Sequence, residues 1–206
     1  MILQAINVTF GYSKKNILSN INFQMTSGEV VGLLAPSGYG KTTFANILAG
    51  NLKPHSGEVF IYDNQKHSVS EFKGFYPIQI VGQHPEKSLN PRWILEKSLN
   101  EAYTPSLELR KQFGLQDKWL TRWPNELSGG ELQRFCILRL LADELKFLIL
   151  DEISTMLDAI TQAQIWHSLL NIAKERNLGL IVISHNKALI ERVCTRTLYL
   201  ANINFN

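Results

Sequence analysis

The chain has 206 residues, 45% hydrophobic and 19% charged, enough apolar side chain to offset the entropy of ordering a backbone, which argues against disorder. Its 21 basic and 18 acidic residues leave a formal charge of +3 without a basic run, so nucleic acid is not favoured as a partner. The start MILQAINVTF lacks the pattern of a secretory leader and no apolar run approaches the roughly 18 residues of a membrane span, so a cytoplasmic protein is expected.

In chain order, Ile2 to Phe10 reads as an irregular strand, and Ile17, Ile21, Phe23 and Met25 mark a half-buried one, giving an antiparallel opening. Residues 30–34, 147–150 and 180–183 are apolar without alternation, as strands buried on both faces of a parallel sheet should be. Helices are expected over 41–49 before Gly50, over 130–142 after Ser-Gly-Gly, and over 159–176, where Ile165, Leu169, Ile172 and Ala173 keep helical spacing. Between about 84 and 129 short amphipathic pieces are broken by Pro85, Pro91, Pro105 and Pro124. This predicts one α/β domain over 1–206 with a small helical subdomain inserted at 84–129. Cys136 and Cys194 lie in apolar stretches and read as small buried hydrophobes of a reducing compartment.

Three motifs carry chemistry. Ala35-Pro36-Ser37-Gly38-Tyr39-Gly40-Lys41-Thr42-Thr43 follows a buried strand and opens a helix, the context of a phosphate-binding loop. Its backbone N–H groups can converge on phosphate oxygens, Lys41 can reach the β and γ phosphates, and the Thr42 hydroxyl can ligate Mg²⁺. The strand at 147–150 ends in Asp151-Glu152, where Asp151 can hold the metal and Glu152 can polarise an attacking water. An isolated strand ending in solvated acids would be the plainer reading; the upstream loop reverses that preference. Ser128-Gly129-Gly130 before an amphipathic helix makes a second anion-binding helix start, or simply a capped helix with a flexible entry.

The order of phosphate loop, Ser-Gly-Gly helix, Asp-Glu strand and a later strand ending in Ser184-His185 resembles the ABC ATPases over nearly the whole chain. The resemblance implies a P-loop NTPase (RecA-like) core with an antiparallel β subdomain and an inserted helical one, acting on ATP with Mg²⁺. It implies that Tyr12 stacks on adenine and that Gln83 senses Mg²⁺ and couples to a membrane partner. It further implies that Asp158, in Thr155-Met156-Leu157-Asp158, crosses a dimer interface and that His185 contacts the γ-phosphate. In that family the signature around Ser128 caps the nucleotide of a second cassette, so a heterodimer, or else a homodimer, is implied beneath transmembrane permease subunits. Ala35 stands where glycine is usual, Ile153 where proline is common and Asn186 where aspartate is usual.

Gln83-His84-Pro85 with Ser88-Leu89-Asn90-Pro91-Arg92-Trp93 resembles importers of peptides, nickel and metal-chelator complexes, which a substrate-binding protein feeds. An exporter motor or a non-transport cassette is the other reading. Repair and chromosome types carry long coiled coils between loop and signature, and Lys41 to Ser128 holds no sustained heptads.

Overall fold

The computed structural model describes residues 1–12, 15–69, 72, 75–154 and 157–200. Strands β1 (Ile2–Phe10), β2 (Leu18–Thr26), β4 (Ser56–Tyr62) and β5 (Lys66–Ser68) form an antiparallel sheet in the order β2-β1-β4-β5. The irregularity of the first strands has a cause. Asn7 and Asn20 adopt positive φ (51° and 53°) and the β1–β2 register slips between Ala5 and Phe10. Such a bulge shifts the side-chain phase, so the buried set of β2 is Leu18, Ile21, Phe23 and Met25, and Ile17 lies before the strand, half-buried.

The second sheet is parallel, in the order β6-β7-β8-β3-β9, from β3 (Val30–Leu34), β6 (Ile78–Val81), β7 (Phe147–Asp151), β8 (Gly179–Ile183) and β9 (Arg196–Tyr199). Every residue of β3, β7 and β8 is buried, which explains their unbroken apolar runs. Alternate residues feed two cores. Val31, Leu33, Phe147, Ile149, Ile181 and Ile183 pack with the antiparallel sheet and with helix α1 (Lys41–Leu48). Leu34, Leu148, Leu150, Leu180 and Val182 pack with the helical side.

That side holds a 3₁₀ turn at Pro85–Ser88, α2 (Leu95–Leu99), α3 (Leu107–Gln112), α4 (Asp117–Leu120), a 3₁₀ turn at Pro124–Glu126 and α5 (Gly129–Leu138). Trp119, Leu95, Leu99 and Phe135 fill its centre. The helix expected over 130–142 ends earlier, at Leu138. The Leu138 carbonyl accepts from the Tyr103 hydroxyl, and Leu140 and Leu141 close tighter i→i+3 turns onto Ile137 and Leu138. Helices α6 (Ala159–Glu175) and α7 (Lys187–Val193) pack on this same face of the sheet, through Ile165, Leu169, Ile172 and Ile190. Of the two thiols, Cys136 is buried and Cys194 only partly so; burial pushes them up to about 11 and about 12 respectively.

A parallel sheet delivers all its carboxyl ends to one edge. Leu34 there leads into the loop before α1, Val81 leads to Gln83, β7 ends on Asp151, and Ile183 leads to His185.

Candidate nucleotide-binding site

At that edge a cavity of about 470 Å³ is lined by Ile17, Ser37, Gly38, Gly40, Lys41, Thr42, Thr43, Gln83, Glu152 and His185. Gly38 and Gly40 both stand at φ 81°, where glycine is favoured, and a side chain on Gly40 would come within 2.6 Å of Ile17 Cγ2. The lysine is 7% exposed, and its Nζ donates to the carbonyls of Ala35 (2.7 Å) and Pro36 (3.1 Å). Only the Ala35 carbonyl is needed for this, and Ala35 is not among the positive-φ residues, so alanine is tolerated there.

The Thr42 hydroxyl donates to Asp151 Oδ2 at 2.7 Å, bringing two hard oxygen donors together. Burial raises the Asp151 pKa, with the Glu152 charge adding to it and the Thr42 hydrogen bond opposing. Glu152 carries a positive φ (54°), rare for a residue with a side chain, and its amide donates to Ile183 O at 2.9 Å. Its Oε1 lies 2.6 Å from His185 Nε2. Two residues from adjacent strand ends thus meet over the phosphate loop.

A second cavity, about 410 Å³, is lined by Gly114, Gln116, Trp119, Ser128, Gly129, Gly130, Glu131, Arg134, Leu157, Asp158 and Thr161. Among the described residues it shares no lining residue with the first. Ser128 caps α5 in a reciprocal box: its Oγ accepts from the Glu131 amide and Glu131 Oε2 accepts from the Ser128 amide at 2.8 Å. That backbone donor lowers the Glu131 pKa. Asp158 caps α6, its Oδ1 accepting from the amides of Ile160 (3.0 Å) and Thr161 (2.9 Å), and hydrogen bonds from Thr161 hold its pKa down. Of the expected interface loop, Thr155 and Met156 lie outside the described residues.

The signature helix is fastened to the segment after β6. Gln133 Nε2 donates to Gly82 O (3.4 Å), Cys136 Sγ to Pro85 O (3.6 Å) and Arg139 Nη1 to Ser88 O (2.8 Å), three donors spaced three residues apart on one face of α5 and its cap.

The ABC transporter family profile matches residues 18–155. The chain belongs to the ABC transporter family. It is similar, at 36% identity over 97% of its length and 86% of the relative's, to the nickel import system ATP-binding protein NikE of Staphylococcus aureus. Among solved structures it resembles the ATP-binding cassette MJ0796, in a dimeric post-hydrolysis state bound to ADP and phosphate, at TM-score 0.79 and 28% identity over 96% of this chain and 93% of that one. An ATP-binding subunit of an ABC transporter matches in fold at TM-score 0.83 and 23% identity, over 97% and 85% of the two chains. The protein is therefore an ATP-binding, ATP-hydrolysing subunit of an ABC transporter.

Of the residues expected to serve this ABC ATPase, Ser37, Gly38, Gly40, Lys41, Thr42, Thr43, Gln83, Glu152 and His185 line the first cavity, with Asp151 beside it. Pro36 supplies a carbonyl to Lys41, and Tyr39 is half-exposed on the loop. Ser128, Gly129, Gly130 and Asp158 line the second. Tyr12 lies at the edge, 68% exposed, its ring edge-on to Phe10 and its hydroxyl 3.4 Å from Thr43 Oγ1. Ile17 was not foreseen: it precedes β2 and meets the loop only through folding. Ile153 is buried in the core, where an apolar residue suffices.

Asn186 has a local role. Its Oδ1 accepts from the Leu189 amide at 3.1 Å, capping α7, which asparagine and aspartate do equally well. Asn186→Ala should lower stability by ~1 kcal/mol, whereas Asn186→Asp should leave it unchanged. Urea unfolding of both variants measures the difference, and equal losses would discount the cap.

Proposed function

We propose that this ABC ATPase is the motor of an importer for nickel, peptides or metal-chelator complexes, working as one nucleotide-binding domain beneath a permease on the cytoplasmic face of the membrane. The observation that carries the reading is that the chain holds a phosphate-loop cavity and a signature cavity with no residue in common among those described. Each needs its complement from another cassette. We read that partner as a second, different cassette, with two copies of this chain as the other arrangement; a substrate-binding protein would act only through the permease. The NikE relative supports the cargo class, and none of the described helices is long and apolar enough to cross a membrane.

ATP would sit with its phosphates over Ser37 to Thr43, Lys41 leaving the Ala35 and Pro36 carbonyls for β and γ oxygens. Mg²⁺ fits the oxygen donors Thr42 and Asp151, with Gln83 near: the buried Asp151 needs a cation to favour its charged form. When bound, the ion would neutralise charge on the β and γ phosphates. Glu152 takes the water's proton, and His185 holds that carboxylate in place through the 2.6 Å contact while facing the γ-phosphate. Ser128, Gly129 and Gly130 present the α5 start to the partner's nucleotide, with Asp158 beside them.

The permease would dock on the segment 84–93, where Glu86, Lys87 and Arg92 are exposed and Trp93 is only half-buried, with Lys97 Nζ 4.1 Å over its ring. Substituting Glu86, Lys87 and Arg92 should reduce recovery of detergent-solubilised permease in a pull-down and impair transport, while the isolated subunit hydrolyses ATP as before. Equal recovery with normal transport would remove this surface from the mechanism.

A further inference from the structure

Behind the signature cavity lies a third one, about 510 Å³, between the end of α3 and the middle of α6. It is lined by Lys111, Arg134 and His167 together with Gln112, Gln164, Asn171 and other neutral groups, with no carboxylate among the described residues of its lining. Three basic side chains from three different helices converge there without an acidic partner in the lining.

Arg134 is the centre of the arrangement. Its Nη2 donates to Thr161 Oγ1 at 3.0 Å, but its Nε is shielded from solvent and has no hydrogen-bond partner among the described residues. Because Nε has no accessible surface, the groups Arg134 can offer a ligand are the terminal N–H donors that Thr161 does not use. Gly114 makes room for the guanidinium. It stands at φ 65°, and a side chain there would come within 2.7 Å of Arg134 Nη1. On α6, Asn171 Nδ2 donates to His167 Nε2 at 3.1 Å, which leaves the neutral ring its proton on Nδ1 as a further donor. Ser168 donates to Gln112 O at 3.1 Å and ties the two walls together.

We infer that this cavity binds a small oxyanion, a phosphate or a carboxylate, against Arg134, Lys111 and His167. A guanidinium fork suits both, so the shared chemistry is a planar or tetrahedral set of acceptor oxygens. The inference does not depend on the cargo or the permease. Because Arg134 also lines the signature cavity, the bound anion would sit directly behind the surface presented to the partner's nucleotide.

The test uses the full chain and follows the imidazole signals of His167 and His185 by ¹H–¹³C correlation spectra, assigned with His167→Gln and His185→Gln. Inorganic phosphate and, separately, citrate are titrated at constant ionic strength. His185 reports on the phosphate loop and His167 on the third cavity. A saturable shift of His167 is expected, with affinity up to about fivefold weaker in Lys111→Glu, the size of one exposed charge pair. Saturation by phosphate alone or by citrate as well identifies the anion class. Movement of His185 alone, a His167 shift that never saturates, or equal affinity in Lys111→Glu would each overturn the site. The first outcome would still leave the phosphate loop intact.

Discussion

Glu152→Gln is expected to slow ATP hydrolysis by ~10²–10⁴-fold, the range for loss of a positioned general base, while ATP binding is retained. The substitution isolates one property. Glutamine has the same length and can still hydrogen-bond His185 across the present 2.6 Å contact, but it cannot accept the water's proton. The unusual backbone at Glu152, φ 54°, is unaffected because the strain belongs to any residue with a Cβ at that position. Melting temperature without nucleotide should therefore match the parent. Since the signature surface is intact, nucleotide that is bound but not hydrolysed should hold two cassettes together. Size-exclusion chromatography with ATP, alone or with the partner cassette, measures this. Undiminished turnover with no ATP-dependent dimer would refute the role.

Lys41→Ala should abolish nucleotide binding or reduce turnover by at least about 10²–10³-fold, the typical cost of removing one donor aimed at developing charge in a water-poor site. This lysine has a second duty. It spans the loop by bonding the Ala35 and Pro36 carbonyls, so its ammonium is satisfied while buried. Alanine removes both the phosphate contact and the internal tie. Lys41→Arg separates them, because the guanidinium keeps the charge but is too broad and planar to replace a point ammonium. Calorimetric titration with ATP, paired with a thermal melt, reads both effects. An alanine variant that hydrolyses ATP at the parental rate would show that the loop is not the phosphate site.

The sheet was legible because strands covered on both faces must be apolar throughout, as at Val30–Leu34, Phe147–Leu150 and Gly179–Ile183. The phosphate loop and Asp151-Glu152 were legible for a related reason: chemistry at a parallel sheet sits where such runs stop. Harder features depend on partners far along the chain. Strand β9, Arg196–Tyr199, is mostly exposed and polar in its outward residues, and α7 is only seven residues long. Neither offers a strong period. The bulges at Asn7 and Asn20 break the alternation that would locate the strands, and the end of α5 at Leu138 is bonded by Tyr103, a residue from the loop between α2 and α3. Ile17 read only as a strand residue, since its approach to Gly40 exists only after α1 packs on β2. The third cavity was equally hidden. Lys111, Arg134 and His167 are scattered polar side chains until three helices bring them together.

The fastening of α5 to residues 82–88 has a consequence for how the protein breathes. Local opening proceeds in cooperative units, and the weakest set of bonds decides where one unit ends. Gln133, Cys136 and Arg139 bridge a gap of 51 residues in sequence to Gly82, Pro85 and Ser88. With Cys136 and Pro85 also buried at the joint, the amides of the two segments are expected to exchange together, which hydrogen-exchange protection would measure. The stretch that follows the first cavity and the helix that lines the second would then open as one unit, and a ligand that quiets one should quiet the other.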